Sequence, residues 1–122
     1  MNYSTSVPIY LQVITWIKMD IISGVLKPGE KLPSGRDLAL KYSINPNTAN
    51  RVYKEMEAQG ICFTRRGLGT FVTEDPALIM KIKKEMSLQY LHYFLKGMER
   101  LGINAEECIE LIREEAHSNL CK

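Results

Sequence analysis

Long apolar runs are missing from this 122-residue chain, in which no stretch of about 18 apolar residues occurs, so a membrane-spanning helix is excluded. The start, Met1 to Ser6, has neither the basic region nor the apolar run of a secretion signal, and a cytoplasmic location is expected. Cysteines are few, and no metal-type spacing relates Cys62, Cys108 and Cys121. Reduced thiols are expected of them rather than a disulfide framework or a zinc knuckle. His92 and His117 stand alone, without a ligating partner at useful spacing. Gly67-Leu68-Gly69 has no Gly-Lys-Ser or Gly-x-Gly-x-x-Gly pattern around it and is not a phosphate loop. No constellation supports an enzyme, a cofactor or a metal.

Net charge is also small, +2, but it is unevenly spread. Between Lys31 and Val72 stand seven bases (Lys31, Arg36, Lys41, Arg51, Lys54, Arg65, Arg66) against three acids (Asp37, Glu55, Glu57). The last 47 residues, 76 to 122, are balanced at seven of each sign. A local excess of this kind gathers a polyanion. With 45% apolar residues the chain has enough for one modest core.

Taken in order, the residues predict a run of short helices and a hairpin. Pro8 opens a helix over 8–23, with Tyr10, Ile14, Ile17 and Ile21 at three- and four-residue steps, and Gly24 stops it. Lys27-Pro28-Gly29-Glu30 is a turn that delivers a short extended piece at Lys31-Leu32. Ser34, with Asp37 three residues on, caps a helix running to about Tyr42. After the Ser43-Ile44 turn, Asn45-Pro46 caps and starts a helix to Gln59, and a link this short makes the pair a helix-turn-helix. That second helix has a buried stripe (Ala49, Val52, Tyr53, Met56) and a polar stripe (Asn47, Asn50, Arg51, Lys54) at the same spacing. The polar stripe contains no acid, and its Asn and Arg have the donors that read adenine and guanine edges in the major groove. Two β-rich runs, 61–64 and 70–72, then flank Arg65-Arg66-Gly67-Leu68-Gly69. This hairpin can lay Arg65 and Arg66 on phosphates or in the minor groove.

The tail carries two more helical patterns. Asp75-Pro76 starts one that runs to about Leu101, and Asn104 with Glu107 starts the last, with Ile103 and Cys108 as a staple pair. The first places Ile79, Ile82, Met86, Tyr90, Tyr93, Phe94 and Met98 on an apolar surface too large for one small neighbour. About 45 residues are too few to be stable alone, so a homodimer is expected that buries this face with part of Leu111 and Ile112. The expected organisation is a winged helix-turn-helix DNA-binding domain over 1–75 and a two-helix dimerisation region over 76–122, mainly α with a small β-hairpin. A module that binds protein or structured RNA, with the basic hairpin serving only solubility, is the alternative.

Gly24 to Ala39 (Gly-Val-Leu-Lys-Pro-Gly-Glu-Lys-Leu-Pro-Ser-Gly-Arg-Asp-Leu-Ala), Asn45-Pro46-Asn47-Thr48, and Arg66-Gly67-Leu68-Gly69-Thr70-Phe71-Val72 together resemble the DNA-binding domain of the GntR family of bacterial transcription regulators. The short two-helix tail and Pro8-Ile9-Tyr10 look like its YtrA-like subfamily. The resemblance implies a dimeric repressor with an inverted-repeat DNA operator, often acting on a nearby operon for a membrane transporter. It implies DNA contacts from Arg36, Asn47, Thr48, Asn50, Arg51, Arg66 and Gly69. The sequence departs from larger members, which often place arginines where Pro46 and Asn50 stand. The effector domains of those members are absent, so no small-molecule effector and no metal-binding histidine carries over.

Overall fold

The structure, a computed structural model, describes residues 3–120. Its elements follow in the order α1 (Ile9–Ser23), α2 (Gly35–Tyr42), α3 (Pro46–Ala58), β1 (Cys62–Arg65), β2 (Gly69–Val72), α4 (Pro76–Arg100) and α5 (Ala105–Leu120). Of the three cysteines, Cys121 lies outside the described residues, and Cys62 and Cys108 are free and buried.

Four of the five helix starts, those of α2 to α5, are capped by a side chain, whereas α1 follows Pro8 without such a cap. Ser34 Oγ accepts from the Asp37 amide at 3.1 Å, and Asn45 Oδ1 accepts from the Asn47 amide at 2.8 Å. Asp75 Oδ1 accepts from the Ala77 amide at 3.0 Å. At α5 the reciprocal box is complete, because Asn104 Oδ1 accepts from the Glu107 amide at 2.9 Å and Glu107 Oε1 from the Asn104 amide at 3.3 Å. Each such cap satisfies an amide that the helix leaves unpaired, and contributes about 1 kcal/mol.

The chain divides between Lys83 and Lys84, inside α4, into two compact units. In the first, α3 packs on α1, α2 and β1. Val13 and Ile17 of α1, Leu38 of α2, Val52 and Met56 of α3, with Ile61 and Val72, make the fully buried centre. Removing a side chain of this kind from water contributes about 1.5–3 kcal/mol. The first turns of α4 belong to the same unit, with Leu78 and Ile79 half-buried and Ile82 6% exposed. Ile82, expected on a pairing face, is therefore a core residue. The helical period was read correctly; what it faces was not, because α4 begins before the first core ends.

The hairpin is antiparallel, with Cys62 opposite Val72 and Arg65 opposite Gly69. The piece at Lys31-Leu32 extends it as a third partner, since Lys31 bridges Phe71 and the Leu32 amide donates to the Thr70 carbonyl at 2.7 Å. Tyr53 of α3 donates its hydroxyl to the Pro33 carbonyl at 2.5 Å, which ties the third helix to the segment leading into the second. Burial first, then the neighbouring Cys62, Tyr42 and Asp37, raises the Tyr53 pKa far above the ordinary tyrosine range. Burial likewise pushes the Cys62 thiol up to about 12, with Glu57 adding to the effect, so it stays neutral and unreactive at physiological pH.

In the second unit, Met86, Phe94 and Met98 are half-buried and Cys108 is buried, whereas Tyr90, Leu111 and Ile112 are exposed. Tyr93, Leu101 and Ile109 are exposed as well, Tyr93 by 83%. No described helix is long and apolar enough to cross a membrane.

Candidate nucleic-acid interface

The polar stripe of α3 faces solvent. Asn47, Asn50, Arg51 and Lys54 are exposed, while Ala49, Val52, Tyr53 and Met56 are buried on the opposite face. Thr48, beside the stripe, is half-buried. Consecutive helical residues lie about 100° apart, so Asn50 and Arg51 leave the stripe in different directions. Asn50 leans toward the start of α2, where its Oδ1 would lie 2.7 Å from any Cβ added to Gly35. Arg51 leans toward the start of α1, where its guanidinium carbon stands 3.9 Å from the Tyr10 ring centroid.

Arg36 is exposed in the first turn of α2, beside Gly35, against which Asn50 of the stripe lies. The fold thus brings Arg36 and the recognition stripe together, although 14 positions separate Arg36 from Asn50.

At the wing, Arg65 is the last residue of β1, and its guanidinium carbon lies 5.3 Å from the Phe63 ring centroid. Arg66 is exposed in the turn itself. Of the two arginines expected at the tip, one therefore belongs to the strand. An open groove of about 490 Å³ separates the wing from the start of α2, lined by Lys31, Ser34, Asp37, Arg65, Gly67 and Gly69 among others. It mixes two bases, Lys31 and Arg65, with one acid, Asp37.

Lys31, read from the sequence as one of the bases and as part of a short extended piece, was not assigned to the interface. Its bridge to Phe71 aligns it with β2, and its Cε would lie 2.8 Å from a Cβ on Gly69. The Pro28-Gly29 turn before an extended piece was the available signal. What it lacked was the register, which the hairpin supplies. Gly69 itself has φ 124°, a conformation open to glycine and costly for a β-branched residue. Gly69→Val is expected to displace Lys31, reduce DNA affinity several-fold and leave a single cooperative melting transition. Unchanged affinity in a fluorescence-anisotropy titration would remove the wing from the interface.

Chemically, the surface combines an acid-free stripe of amide and guanidinium donors with cations at the start of α2 and on the wing. Amide and guanidinium groups bond base edges in pairs, and the cations suit phosphates.

Residues 9–72 match the model of the bacterial regulatory proteins of the gntR family. The chain is 41% identical over 112 residues to the uncharacterised HTH-type transcriptional regulator YhcF of Bacillus subtilis, covering 92% of this chain and 93% of that protein. It is 38% identical over 111 residues to the HTH-type transcriptional repressor YtrA of the same organism, covering 90% and 85%. The solved structure of a GntR family transcriptional regulator from Listeria monocytogenes superposes with a TM-score of 0.85 at 37% identity, covering 92% of this chain and 98% of that one. With a family match that begins at the first turn of α1 and ends at the last residue of the wing, this chain belongs to the GntR family and is a DNA-binding transcriptional regulator.

Proposed function

We propose that the chain is a homodimeric repressor that binds an inverted-repeat operator near the genes it controls, with α3 in the major groove and the wing along the adjacent backbone. The observation that carries the reading is the exposed, acid-free stripe on α3, accompanied by Arg36 at the start of α2 and by the wing with Lys31 across a groove from that helix start. Asn47, Asn50 and Arg51 are assigned to base edges, with Thr48 at the margin of the stripe. Lys54, Arg36, Lys31, Arg65 and Arg66 are assigned to phosphates, with Gly69 allowing close approach of the wing backbone. The relative YtrA is a repressor by name, which supports repression over activation. Pairing through the second unit is supported by its exposed Tyr90, Tyr93, Leu101, Ile109, Leu111 and Ile112, since exposed apolar surface on this scale marks an interaction site.

The test is selection of fragments of the source genome by the intact chain, followed by titration of the selected duplex at about 50 and 200 mM salt, a range over which phosphate contacts weaken steeply. Arg36→Ala and Lys31→Ala are each expected to weaken all DNA about equally and to lower the salt slope by about one. Failure to enrich any duplex, with retention of a structured RNA or a protein instead, would favour the alternative module.

A further inference from the structure

We infer that Tyr10, in the first turn of α1, is a positioning residue for Arg51 of α3, holding the guanidinium by one face so that its donors are presented along the edge of the recognition stripe. This rests on the reading of α3 as the DNA-reading helix. Three cation and ring pairs occur among the described residues, and two of them, Lys41 with Tyr42 and Arg65 with Phe63, join near neighbours in sequence at 5.4 and 5.3 Å. The third joins residues 41 positions apart at 3.9 Å, so the packing of α1 on α3 creates it and local chain geometry does not. At that distance the guanidinium carbon lies over the ring, well inside the outer limit of about 6 Å for a cation over a ring.

The chemistry of the pair gives it a role beyond packing. A guanidinium is planar, and its five N–H donors point outward along its edges. Stacking occupies a face and leaves those edges free, so Arg51 can be held by Tyr10 and still offer two parallel donors to a guanine. Arg51 remains exposed while stacked, as this requires. An unheld arginine must give up its rotamer freedom when it binds, and one already ordered by a ring loses less. Asn50 is placed in a matching way, since its Oδ1 lies over Gly35. The two central stripe residues are thus set against the first turns of two different helices, Asn50 against α2 and Arg51 against α1. Tyr10, whose hydrophobic spacing marks it as a core position, is only half-buried and carries its ring to the surface where Arg51 lies.

The test is a double-mutant cycle between Tyr10→Leu and Arg51→Ala on the intact chain, with Tyr10→Phe as the conservative variant. Affinity is measured for a duplex selected from genomic fragments by the wild-type chain and for a scrambled duplex of the same composition. Tyr10→Leu is expected to lower the ratio of the two affinities at least about fivefold, Tyr10→Phe to change it less than about twofold, and Tyr10→Leu to add nothing when Arg51 is already Ala. NMR of the free chain is expected to show the Arg51 side-chain protons shifted by a ring current in wild type and Tyr10→Phe, and unshifted in Tyr10→Leu. Full discrimination by Tyr10→Leu, independent effects of the two substitutions, or the absence of a ring-current shift in wild type would overturn the assignment. A wild-type chain that selects no duplex would instead overturn the operator-binding reading beneath it, while the NMR readout would still report whether the stack exists.

Discussion

A chain ending at Lys83 is expected to fold and to bind the operator at least about 100-fold more weakly than the intact chain, because linking two half-site readers turns the second binding event into an intramolecular one. The position of the cut follows from the first unit. Ending the chain at Asp75 would strip Leu78, Ile79 and Ile82 from a core in which Ile82 is almost fully buried, and loss of one buried isoleucine costs about 2–5 kcal/mol. Ending it at Lys83 keeps those side chains and removes only the unit that exposes Tyr90, Tyr93, Leu101 and Ile112. A two-fold pair through that unit would set the two α3 helices about 34 Å apart or at a multiple of it, one turn of DNA, and the operator would mirror the symmetry. Sedimentation of the full chain at micromolar concentration is expected to give a dimer and the shortened chain a monomer with the same melting cooperativity. A monomeric full chain, or a shortened chain that binds as tightly as the intact one, would sink the pairing reading.

How much of this was legible in the residues depended on the range of the interaction. Caps are local, so Ser34, Asn45, Asp75 and the Asn104-Glu107 box announced four helix starts, and each makes the bond its spacing implied. The two stripes of α3 were equally readable, because a period of 3.6 residues sorts Val52 from Arg51 without reference to anything outside the helix. Contacts between elements were not readable. Nothing in the order of residues says that Lys31 lies against Gly69, that Gly35 leaves room for Asn50, or that Tyr10 meets Arg51, since these depend on the register of the hairpin and on how α1 and α2 pack on α3. Ile82 illustrates the same limit. Periodicity identified an apolar face on α4, but that face continues past Lys83, and only the packed chain separates the turns that close the first core from those left exposed beyond it.

Asn47→Ala is expected to reduce preference for the operator over unrelated DNA by about 1–3 kcal/mol, or about 5- to 150-fold, because an asparagine amide bonds an adenine edge through two hydrogen bonds at once. The substitution isolates readout from folding unusually well. Asn47 is exposed in the first turn of α3, and the cap there uses its backbone amide with the Asn45 side chain, so truncating its own side chain leaves the cap intact. Alanine also suits a helix better than asparagine, so the melting temperature should hold or rise slightly. The loss should be confined in the operator to one base pair and its symmetry mate in the opposite half-site. Competition binding against operators substituted one base pair at a time would show a flat response at those two positions and an unchanged one elsewhere. Arg36→Ala, which leaves the stripe untouched, should give the opposite pattern: every position keeps its preference while all affinities fall together. If Asn47→Ala weakened operator and unrelated DNA by the same factor, the stripe would be an electrostatic surface, and the base-reading role would have to move to another element.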